Sequence, residues 1–527
     1  MSIPSETTVL VIGGGPGGSY AASALAREGI DTVVLEADIF PRYHVGESMI
    51  PSMRPFLRFI DLDDTFLKYG FVKKTGAAFK LNRQKDAYTD FILEPGADSH
   101  AWNVIRSESD ELIFRHAGKC GSKIFDGVKV TGIDFIATEN PSPQSDGSAI
   151  DPGRPVSASW TAKDGRCGSI KFDYLIDASG RAGMVSTKYM KNRSYNKDLK
   201  NVASWGYWRG AISYGIGTPK EGQPLFEALN DTDGSGWVWF IPLHDKTVSV
   251  GVVMNQEASS RKKRESSSSN SREFYLESIN DASGVTHLLK NATLESDIKH
   301  ASDWSYSASE YGNRYLRIVG DAGAFIDPYF SSGVHLALAG ALSAAVSICA
   351  SIRKDCDEET AWKWHSNAVR ERFTRFLLIV MTVTKQIRAQ EVPILNSENE
   401  DGFDGAFHII RPVIQGLSDV NGKATHNDVS HAVEFSAEAL AKSKADVELD
   451  SKLYTDSIEK EALTHEEQRM LRMVKHVFRD FFAANIYDGL RANLVRGNLG
   501  LEKIGTKSVS PDERFVDTAV EAAQVAA

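Results

Sequence analysis

A glycine-rich turn near the N-terminus constrains the fold of this chain more than any other segment. Residues 9–18 read VLVIGGGPGG, so Gly13, Gly15 and Gly18 have GxGxxG spacing between an apolar strand and a predicted helix. Glycine suits these positions because the backbone must turn tightly and approach a pyrophosphate at a helix N-terminus, where unpaired N–H groups favour an anion. Glu36 follows the next apolar run, where its carboxylate can accept a hydrogen bond from a ribose hydroxyl. The segment predicts a dinucleotide-binding βαβ unit.

Two later segments indicate a second wall for the same nucleotide site. Residues 172–181 read FDYLIDASGR and residues 315–327 read YLRIVGDAGAFID. In each segment an apolar strand stops at small or acidic residues, as expected where strands end at a nucleotide crevice. The sequence therefore predicts an α/β fold with a Rossmann-type nucleotide-binding sheet.

The chain has 527 residues, which is more than one hydrophobic core normally serves. We predict a core over residues 1–356, in which a substrate-side β-sheet is interleaved with the nucleotide-binding part. A change to longer helical patterns predicts a helical C-terminal region over residues 357–527 that covers the substrate pocket. Acidic residues outnumber basic ones at 391–461, which predicts a solvated or partly disordered insertion there.

Composition and charge exclude several classes of function. The formal net charge of −10 argues against nucleic acid as a partner, because phosphate backbones are bound by clustered Lys and Arg. The four cysteines have no CxxC spacing, so we expect no metal site and a reducing, cytoplasmic location. The longest apolar run, residues 333–352, is rich in Ala, Ser and Gly, which favours a buried helix over a membrane span.

An aromatic motif at residues 236–242, GWVWFIP, separates this chain from other nucleotide-binding proteins. In a strand, Trp237 and Trp239 share one face and form a rigid wall, although packing in an ordinary core would use tryptophan in the same way. The motif is similar to the WxWxIP signature of the flavin-dependent halogenases. Over residues 9–390 the chain resembles the fungal phenolic type that acts on aromatic polyketides, including the halogenases of resorcylic acid lactones such as radicicol.

This resemblance implies an FAD-binding, aromatic hydroxylase-like fold and a specific set of site residues. The flavin would be FADH2 supplied by a separate reductase, with O2 and chloride or bromide as co-substrates. Ser332 and Gly333 would bind the halide in an anion nest at a helix N-terminus. Tryptophan halogenases have a glutamate immediately before the serine pair, where this chain has Phe330, so a phenolic substrate fits better than tryptophan. The remaining implied residues are the flavin–substrate barrier of Trp237, Trp239, Ile241 and Pro242, and the cofactor-binding set of Gly13, Gly15, Gly18, Glu36, Arg42, Gly46, Ser48, Arg106 and Asp321.

The resemblance also implies that Lys74 is the catalytic residue. It lies in the segment GFVKKTGAAFKL, residues 70–81, and Lys73 is its nearest rival. If this segment is one strand, Lys74 shares a face with Gly76 and Ala78, which leave room for a substrate. A lysine can hydrogen-bond hypohalous acid as an ammonium group or form a haloamine as a free amine, and the sequence leaves both possibilities open.

The function predicted from the sequence is FADH2-dependent halogenation of an electron-rich phenolic ring, through hypohalous acid made at the flavin and positioned by Lys74. Chlorination is expected, with bromination as the variant. An FAD-dependent aromatic monooxygenase would share the nucleotide-binding segments but would need neither halide nor Lys74. A non-catalytic FAD-fold binding protein would have no use for the lysine and the tryptophan wall together.

Overall fold

The computed structural model describes residues 2–82, 85–93, 96–137, 150–229, 234–392, 394–395, 402–419, 424–442, 463–477 and 486–504. Parts of the predicted insertion at 391–461, and the end of the predicted C-terminal region, lie outside these ranges.

Within the described ranges, strands form two large sheets and two small pairs, and helices pack on both sheets. In chain order the strands are β1 (Glu6–Ile12), β2 (Thr32–Leu35), β3 (Val72–Lys74), β4 (Gly76–Lys80), β5 (Ala87–Asp90), β6 (Ala101–Asn103), β7 (Lys123–Phe125), β8 (Val128–Ile136), β9 (Arg154–Ala162), β10 (Cys167–Asp177), β11 (Arg193–Arg209), β12 (Leu225–Ala228), β13 (Gly236–Pro242), β14 (Thr247–Asn255), β15 (Thr293–Leu294), β16 (Lys299–Ala308), β17 (Gly312–Asn313), β18 (Leu316–Ile318), β19 (Ala324–Phe325), β20 (Leu490–Asn493) and β21 (Gly500–Lys503). The helices are α1 (Pro16–Arg27), α2 (Met53–Phe59), α3 (Asp63–Tyr69), α4 (Arg106–Lys119), α5 (Gln256–Glu265), α6 (Ser271–Ile279), α7 (Ser283–Leu288), α8 (Gly333–Arg353), α9 (Glu358–Arg388), α10 (Asp404–Ile414), α11 (His426–Ala441) and α12 (His465–Val477).

The nucleotide sheet has the strand order β17-β18-β10-β1-β2-β7, extended by β9 on β10 and β8 on β9. Strand β1 runs parallel to both β2 and β10, and β10 runs parallel to β18. Val9, Leu10 and Val11 are fully buried, as expected for a strand that is covered by structure on both faces. Of the two segments predicted to form the second wall, the first therefore lies beside β1 and the second lies beside the first. The predicted α/β, Rossmann-type fold is confirmed.

The substrate-side sheet has the order β19-β16-β11-β14-β13-β12-β4-β5, with β15 on β11. Side chains alternate along β13. Trp237 and Trp239 contribute to a core that also contains α9, while Val238 and Phe240 face a second core that is closed by α6 and α7. The period of two thus places the tryptophans on one face, as the sequence predicted.

The expectation that Lys74, Gly76 and Ala78 lie on one strand is wrong. The chain leaves β3 at Lys74 and enters β4 at Gly76, and the two strands pair with different partners. Gln223 interrupts the strand because its side-chain oxygen accepts hydrogen bonds from the N–H groups of Thr75, at 2.8 Å, and Gly76, at 3.3 Å. Lys74 is therefore directed independently of the β4 sheet.

Helix α8 is long and apolar enough to cross a membrane by length and composition alone, and 78% of its most apolar stretch is buried inside the protein. It packs between α1 and α9. Small residues in its middle, such as Ala344 and Ala345, are fully buried, which allows neighbouring helices to approach closely. The structure therefore uses this helix in the core.

The described part of residues 391–461 is folded and contributes buried residues to the core, whereas the rest of the predicted insertion lies outside the described residues. Helices α10 and α11 lie there and pack against each other and against α9. Phe407, Ile410 and Val433 are almost completely buried. On these two helices Asp404, Asp428, Glu434 and Glu438 are exposed, as expected for amphipathic helices, so net charge alone did not report the buried faces.

The chain beyond residue 357 is not entirely helical, because β20 and β21 form a hairpin that returns to the nucleotide-binding part. Leu499 and Leu501 join the core that contains α1 and α8. Glu28, just after α1, accepts hydrogen bonds from the N–H groups of Gly497, at 2.8 Å, and Leu499, at 3.1 Å, and pairs with Arg353. The division at residue 356/357 remains a proposal about domains rather than a spatial boundary.

We expect Leu499→Ala to destabilise the nucleotide-binding part. Leu499 is fully buried, so the substitution removes buried methyl groups and leaves a cavity, at a cost of about 2–4 kcal/mol. Thermal unfolding measures the loss, with Val495→Ala as the matched control because Val495 is 47% exposed in the same hairpin. Equal melting temperatures for the two variants would show that the hairpin contributes nothing to this core.

Candidate active site

The predicted dinucleotide turn lies at the carboxyl end of β1, where it leads into α1. A Cβ atom on Gly18 would lie 1.9 Å from the carbonyl oxygen of Gly13, and Gly13 has a φ of +100°. Neither position accepts a larger residue without a shift of backbone. Within the described chain, no side chain caps α1, so the N–H groups of its first turn are available to an anion.

Glu36 and Arg42 flank this turn. The Glu36 carboxylate accepts a hydrogen bond of 2.5 Å from the N–H of Gly14. Nε of Arg42 lies 3.9 Å from the same carboxylate, and a Cβ on Gly15 would lie 3.4 Å from the Arg42 guanidinium. An acceptor suited to a ribose and a cation suited to a phosphate are therefore next to one turn.

Asp110 fixes the two arginines of the site. Arg106, the first residue of α4, donates to both of its carboxylate oxygens at 2.8 and 3.0 Å, and Arg42 donates at 3.0 Å. Burial opposes the ionisation of Asp110, but Arg106 and then Arg42 reverse the effect and lower its pKa. Arg106 also donates to the carbonyl oxygen of Val45 at 2.8 Å, and a Cβ on Gly46 would lie 3.0 Å from its guanidinium. The 41–48 loop is thereby held against α4.

Asp321 lies in the 3₁₀ turn Gly320–Ala322, after the end of β18. Burial raises the pKa of its carboxyl group, and the charges of Arg181 and Arg106 act in the opposite direction. The Tyr306 hydroxyl donates a hydrogen bond of 2.7 Å to the carbonyl oxygen of Asp321. The turn is therefore anchored through its backbone, and its carboxylate shares the electrostatic environment of Arg106.

The start of α8 has the geometry of an anion nest. Ser331 has a left-handed conformation, with φ of +57°, and Ser332 follows in the right-handed conformation. Successive residues of opposite hand turn their N–H groups towards one point. The side chain of Ser332 makes no capping hydrogen bond, and a Cβ on Gly333 would meet nothing within 4 Å. Gly333 is exposed, so this helix N-terminus faces open space.

The tryptophan wall is rigid. The ring centroids of Trp237 and Trp239 are 5.9 Å apart, and the indole N–H of Trp239 donates to Ser249 Oγ at 3.0 Å. Gly251 on β14 lies under the Trp239 ring, where a Cβ would come within 2.1 Å of it. Ile241 continues the same buried face, and Pro242 ends the strand.

Asp327 connects this wall to the nest, a role for which its sequence context carries no signal. The Asn201 side chain donates to its carboxylate at 2.7 Å, and the N–H of Tyr329 donates at 3.1 Å. Burial raises the pKa of Asp327 to about 6, while hydrogen bonds from Asn201, Tyr329 and the Trp237 side chain favour its ionised form. The Tyr329 ring also contacts Trp237 edge-on, at 5.0 Å.

A chain of hydrogen bonds connects the wall to the 41–48 loop, and the sequence motifs did not predict it. The indole N–H of Trp205, whose ring lies 6.3 Å from that of Trp239, donates to the Tyr43 hydroxyl at 2.6 Å. The hydroxyls of Tyr43 and Tyr207 are 2.9 Å apart, and Tyr207 donates to Glu47 at 2.8 Å. These residues are far apart in sequence, so only the fold brings them together.

Lys74 is 2% exposed at the end of β3, whereas Lys73 is exposed. Its Nζ donates to Ser48 Oγ at 2.8 Å and to the carbonyl oxygen of Met49 at 2.9 Å, and it lies 5.1 Å from the Phe91 ring centroid. Burial lowers the pKa of Lys74 from 10.5 to about 7. A substantial fraction of free amine is therefore present at neutral pH.

His335, close to the nest on α8, is held on both sides of its ring. Nδ1 lies 2.8 Å from Ser52 Oγ, and Nε2 lies 2.9 Å from the Asp419 carboxylate. Arg375 and Arg372 also pair with Asp419, and the pKa of Asp419 is far below its usual range because these charges outweigh the effect of burial. His335 thus has a structural position that joins α8 to the turn after α10.

Several of the sequence-predicted residues contact one another. Arg42 lies beside Gly15 and Glu36, and Arg106 lies beside Gly46. Lys74 contacts Ser48 at the end of the same loop, and Trp237 contacts Tyr329, two residues before Ser331. Across the described residues, no group of three or more His, Cys, Asp or Glu side chains is placed to hold a metal ion.

Comparisons with known proteins agree on one family. A family model described as tryptophan halogenase matches residues 8–105 and 150–389. A flavin-dependent halogenase of Aspergillus carbonarius is 62% identical over 508 residues, which cover 96% of this chain and 99% of that protein. The sulochrin halogenase of Aspergillus terreus is 50% identical over 533 residues, which cover 97% of this chain and 96% of that protein.

Solved structures give the same result at greater distance. The flavin-dependent halogenase CmlS superposes with a TM-score of 0.64 at 26% identity, over 77% of this chain and 72% of that one. The FAD-dependent chondrochloren halogenase CndH superposes with a TM-score of 0.64 at 24% identity, over 83% of this chain and 97% of that one. The second likeness shows the fold alone.

We expect the side-chain amine of Lys74 to titrate near pH 7. Burial disfavours its charged form in the native protein only, so this contribution to stability is most unfavourable below pH 7 and is relieved as the pH rises towards 10.5. Side-chain ¹⁵N NMR of labelled lysines measures the pKa, and Lys74→Arg identifies the signal. The same signal should return to its ordinary pKa in denaturant. A native titration near 10.5 would contradict the burial of this amine.

Proposed function

The chain belongs to the flavin-dependent halogenases, and we propose that it chlorinates an electron-rich phenolic ring of an aromatic polyketide, through hypohalous acid that Lys74 positions. The family predicted from the WxWxIP motif is thereby confirmed, and the chain is an enzyme. The observation that carries the finer proposal is a buried amine of lowered pKa beside the loop that adjoins the nucleotide-binding turn.

FAD fits the residues around the glycine turn. The backbone leaves no room for side chains at Gly13 and Gly18, and a Cβ on Gly15 would contact only the Arg42 guanidinium, which suits a pyrophosphate beside this turn. Glu36 would bind the ribose, Arg42 and Arg106 the phosphates, and Asp321 the ribityl chain. Gly46 and Ser48 would line the isoalloxazine side. Bound as FADH2, the cofactor would supply the oxidation of halide by O2 to hypohalous acid.

The nest at Ser332 and Gly333 would hold chloride or bromide. Two features support this role: opposite backbone hands at Ser331 and Ser332, and open space in front of Gly333. Backbone N–H groups at a helix N-terminus bind an anion without a cationic side chain, so the halide would stay nucleophilic.

The wall of Trp237, Trp239, Ile241 and Pro242 would keep the phenol away from the flavin, while the smaller hypohalous acid passes to Lys74. Enclosure matters because free hypohalous acid would oxidise the protein and react without regioselectivity. The amine of Lys74 would hold the oxidant against a ring carbon ortho to a phenol hydroxyl, and the remaining chemistry is electrophilic substitution, for which positioning is the main requirement.

An aromatic polyketide suits the chemistry of the surrounding side chains. Where tryptophan halogenases have a glutamate, Phe330 packs with Phe79 and Phe407, at 5.4 and 6.2 Å between ring centroids. A phenol activates its own ring and needs less help from a carboxylate. The sulochrin halogenase covers nearly the whole chain at 50% identity, which supports a related substrate class. Helices α9 to α11 would cover this pocket. The flavin reductase would be a separate protein. The enzyme itself would be located in the cytoplasm.

We expect Lys74→Met to abolish halogenation and to leave flavin binding and oxygen consumption intact, because the amine acts after the halide is oxidised. The assay combines the protein with a flavin reductase, NADH, chloride and a panel of phenolic polyketides, and mass spectrometry reads one added chlorine. Lys73→Met is the matched control and should retain the activity, because Lys73 is the neighbouring residue in the sequence and its side chain is exposed.

Chlorinated product from Lys74→Met at the wild-type rate would refute the role of the lysine. A hydroxylated product from the wild-type protein, independent of halide, would instead establish an aromatic monooxygenase. The panel therefore separates the two enzyme activities in one experiment.

We expect Gly333→Ala to raise the KM for chloride about tenfold with little change in stability. A Cβ at this position meets no atom within 4 Å, so the methyl group enters only the space in which the halide would bind. Loss of one anion hydrogen bond costs about 1.5 kcal/mol, which corresponds to that factor. Gly132→Ala is the control because a Cβ there is equally unobstructed. An unchanged KM for chloride would show that the halide does not bind in this nest.

A further inference from the structure

Asn103 is a fully buried amide to which neither the family match nor the sequence pattern assigned a role. Its exposure is 0%, and neither Oδ1 nor Nδ2 has a hydrogen-bond partner among the described residues. A buried amide without partners costs about 1–3 kcal/mol for each unsatisfied group. Such a residue is expected where a small polar molecule completes its hydrogen bonds.

Strand pairing places this amide beside Ser48. Residues 48 and 103 form an antiparallel bridge, and backbone hydrogen bonds of 3.0 and 2.8 Å join the residues on either side of the pair. This pattern makes Ser48 and Asn103 a non-hydrogen-bonded pair, the arrangement with the closer side chains, about 4.5 Å between Cα atoms. Both side chains therefore lie on one face.

The amine of Lys74 reaches the same place from the other side of β6. Lys74 is paired with Ala101, two residues before Asn103, so Lys74, Ala101 and Asn103 share a face. The small side chain of Ala101 lets the lysine cross β6 and donate to Ser48 Oγ at 2.8 Å. Amine and amide are thus neighbours around one serine hydroxyl.

Hypohalous acid requires both kinds of hydrogen bond. Its oxygen accepts, and its single hydrogen must be donated to an acceptor if the halogen is to point away towards the ring. A lysine ammonium group only donates, whereas an amide both donates and accepts. The described residues offer no ion-paired carboxylate at Lys74 to play the acceptor.

We propose that the Asn103 side chain is a second binding group for hypohalous acid at Lys74, with Oδ1 accepting the O–H and Nδ2 donating to the oxygen. Two-point binding fixes the direction of the O–halogen bond and retains the oxidant until the phenol reacts. No covalent bond forms or breaks in this step. The inference rests on the proposed halogenase chemistry, and it adds a residue that determines how much oxidant is used productively.

The first arm of the test measures proximity without halide, flavin turnover or substrate. In Asn103→Asp the new carboxylate should raise the pKa of Lys74 by at least about one unit, because an opposite charge within 4–6 Å favours the ammonium form. Asn103→Leu, which has nearly the same shape, should not raise it. Side-chain ¹⁵N NMR measures the pKa of Lys74 in both variants. An unchanged pKa in Asn103→Asp would place the amide away from the amine and overturn the proposal.

The second arm measures the fate of the oxidant. In Asn103→Leu, flavin affinity and oxygen consumption should match the wild type, and the melting temperature should be equal or higher because the unsatisfied amide is removed. The ratio of chlorinated product to hypochlorous acid captured by a trap in solution should fall at least about tenfold, because leucine removes both hydrogen bonds of the amide. Asn291→Leu, the same change at an exposed position, should leave the ratio unchanged. If Asn103→Leu fails to fold, Asn103→Ala replaces it.

The outcomes separate the two proposals. A wild-type ratio in Asn103→Leu, or in its alanine replacement, would mean that the amide contacts only water and would overturn the inference while the halogenase proposal stands. A wild-type protein that makes neither chlorinated product nor trapped hypochlorous acid would overturn the proposed function and this role of Asn103 with it. A leak of oxidant confined to the Asn103 variants supports the proposal.

Discussion

Burial of the Lys74 amine is the constraint on which the arrangement of the site depends. Burial alone accounts for its lowered pKa, and its two hydrogen bonds join the end of β3 to Ser48 and Met49. The same loop is held from its other end by Arg106, which donates to Val45. One short segment is therefore fixed at Val45 by Arg106 and at Ser48 and Met49 by Lys74, so these two side chains keep a constant spacing along it.

Those parts of the fold that depend on local backbone chemistry could be predicted from the sequence. The glycine turn has one conformation because a Cβ on Gly18 would clash with backbone. The two tryptophans of β13 share a face because side chains in a strand alternate. Family resemblance supplied Lys74, which the structure buries, although the single strand expected to carry it is broken by the side chain of Gln223.

Contacts between distant segments could not be predicted in this way. Asp327 holds Asn201 and Trp237, and Asn103 meets Ser48 only because the 47–49 segment pairs with β6. Each of these residues is an ordinary polar residue in its own stretch of sequence. For a related reason, the acidic composition of residues 391–461 did not indicate that part of this segment is buried. Net charge does not report the buried face of helices such as α10, where Phe407 and Ile410 lie in the core. Burial of a particular side chain is a property of the assembled layers.

The C-terminal hairpin has a consequence for how the protein is made. Leu499 and Leu501 belong to the same core as α1, and Glu28 accepts hydrogen bonds from the hairpin backbone. The helix that follows the first strand therefore reaches its final environment only after the chain has been synthesised as far as Leu501. Until then the core around α1 lacks these two leucines, and Glu28 lacks two of its hydrogen-bond donors.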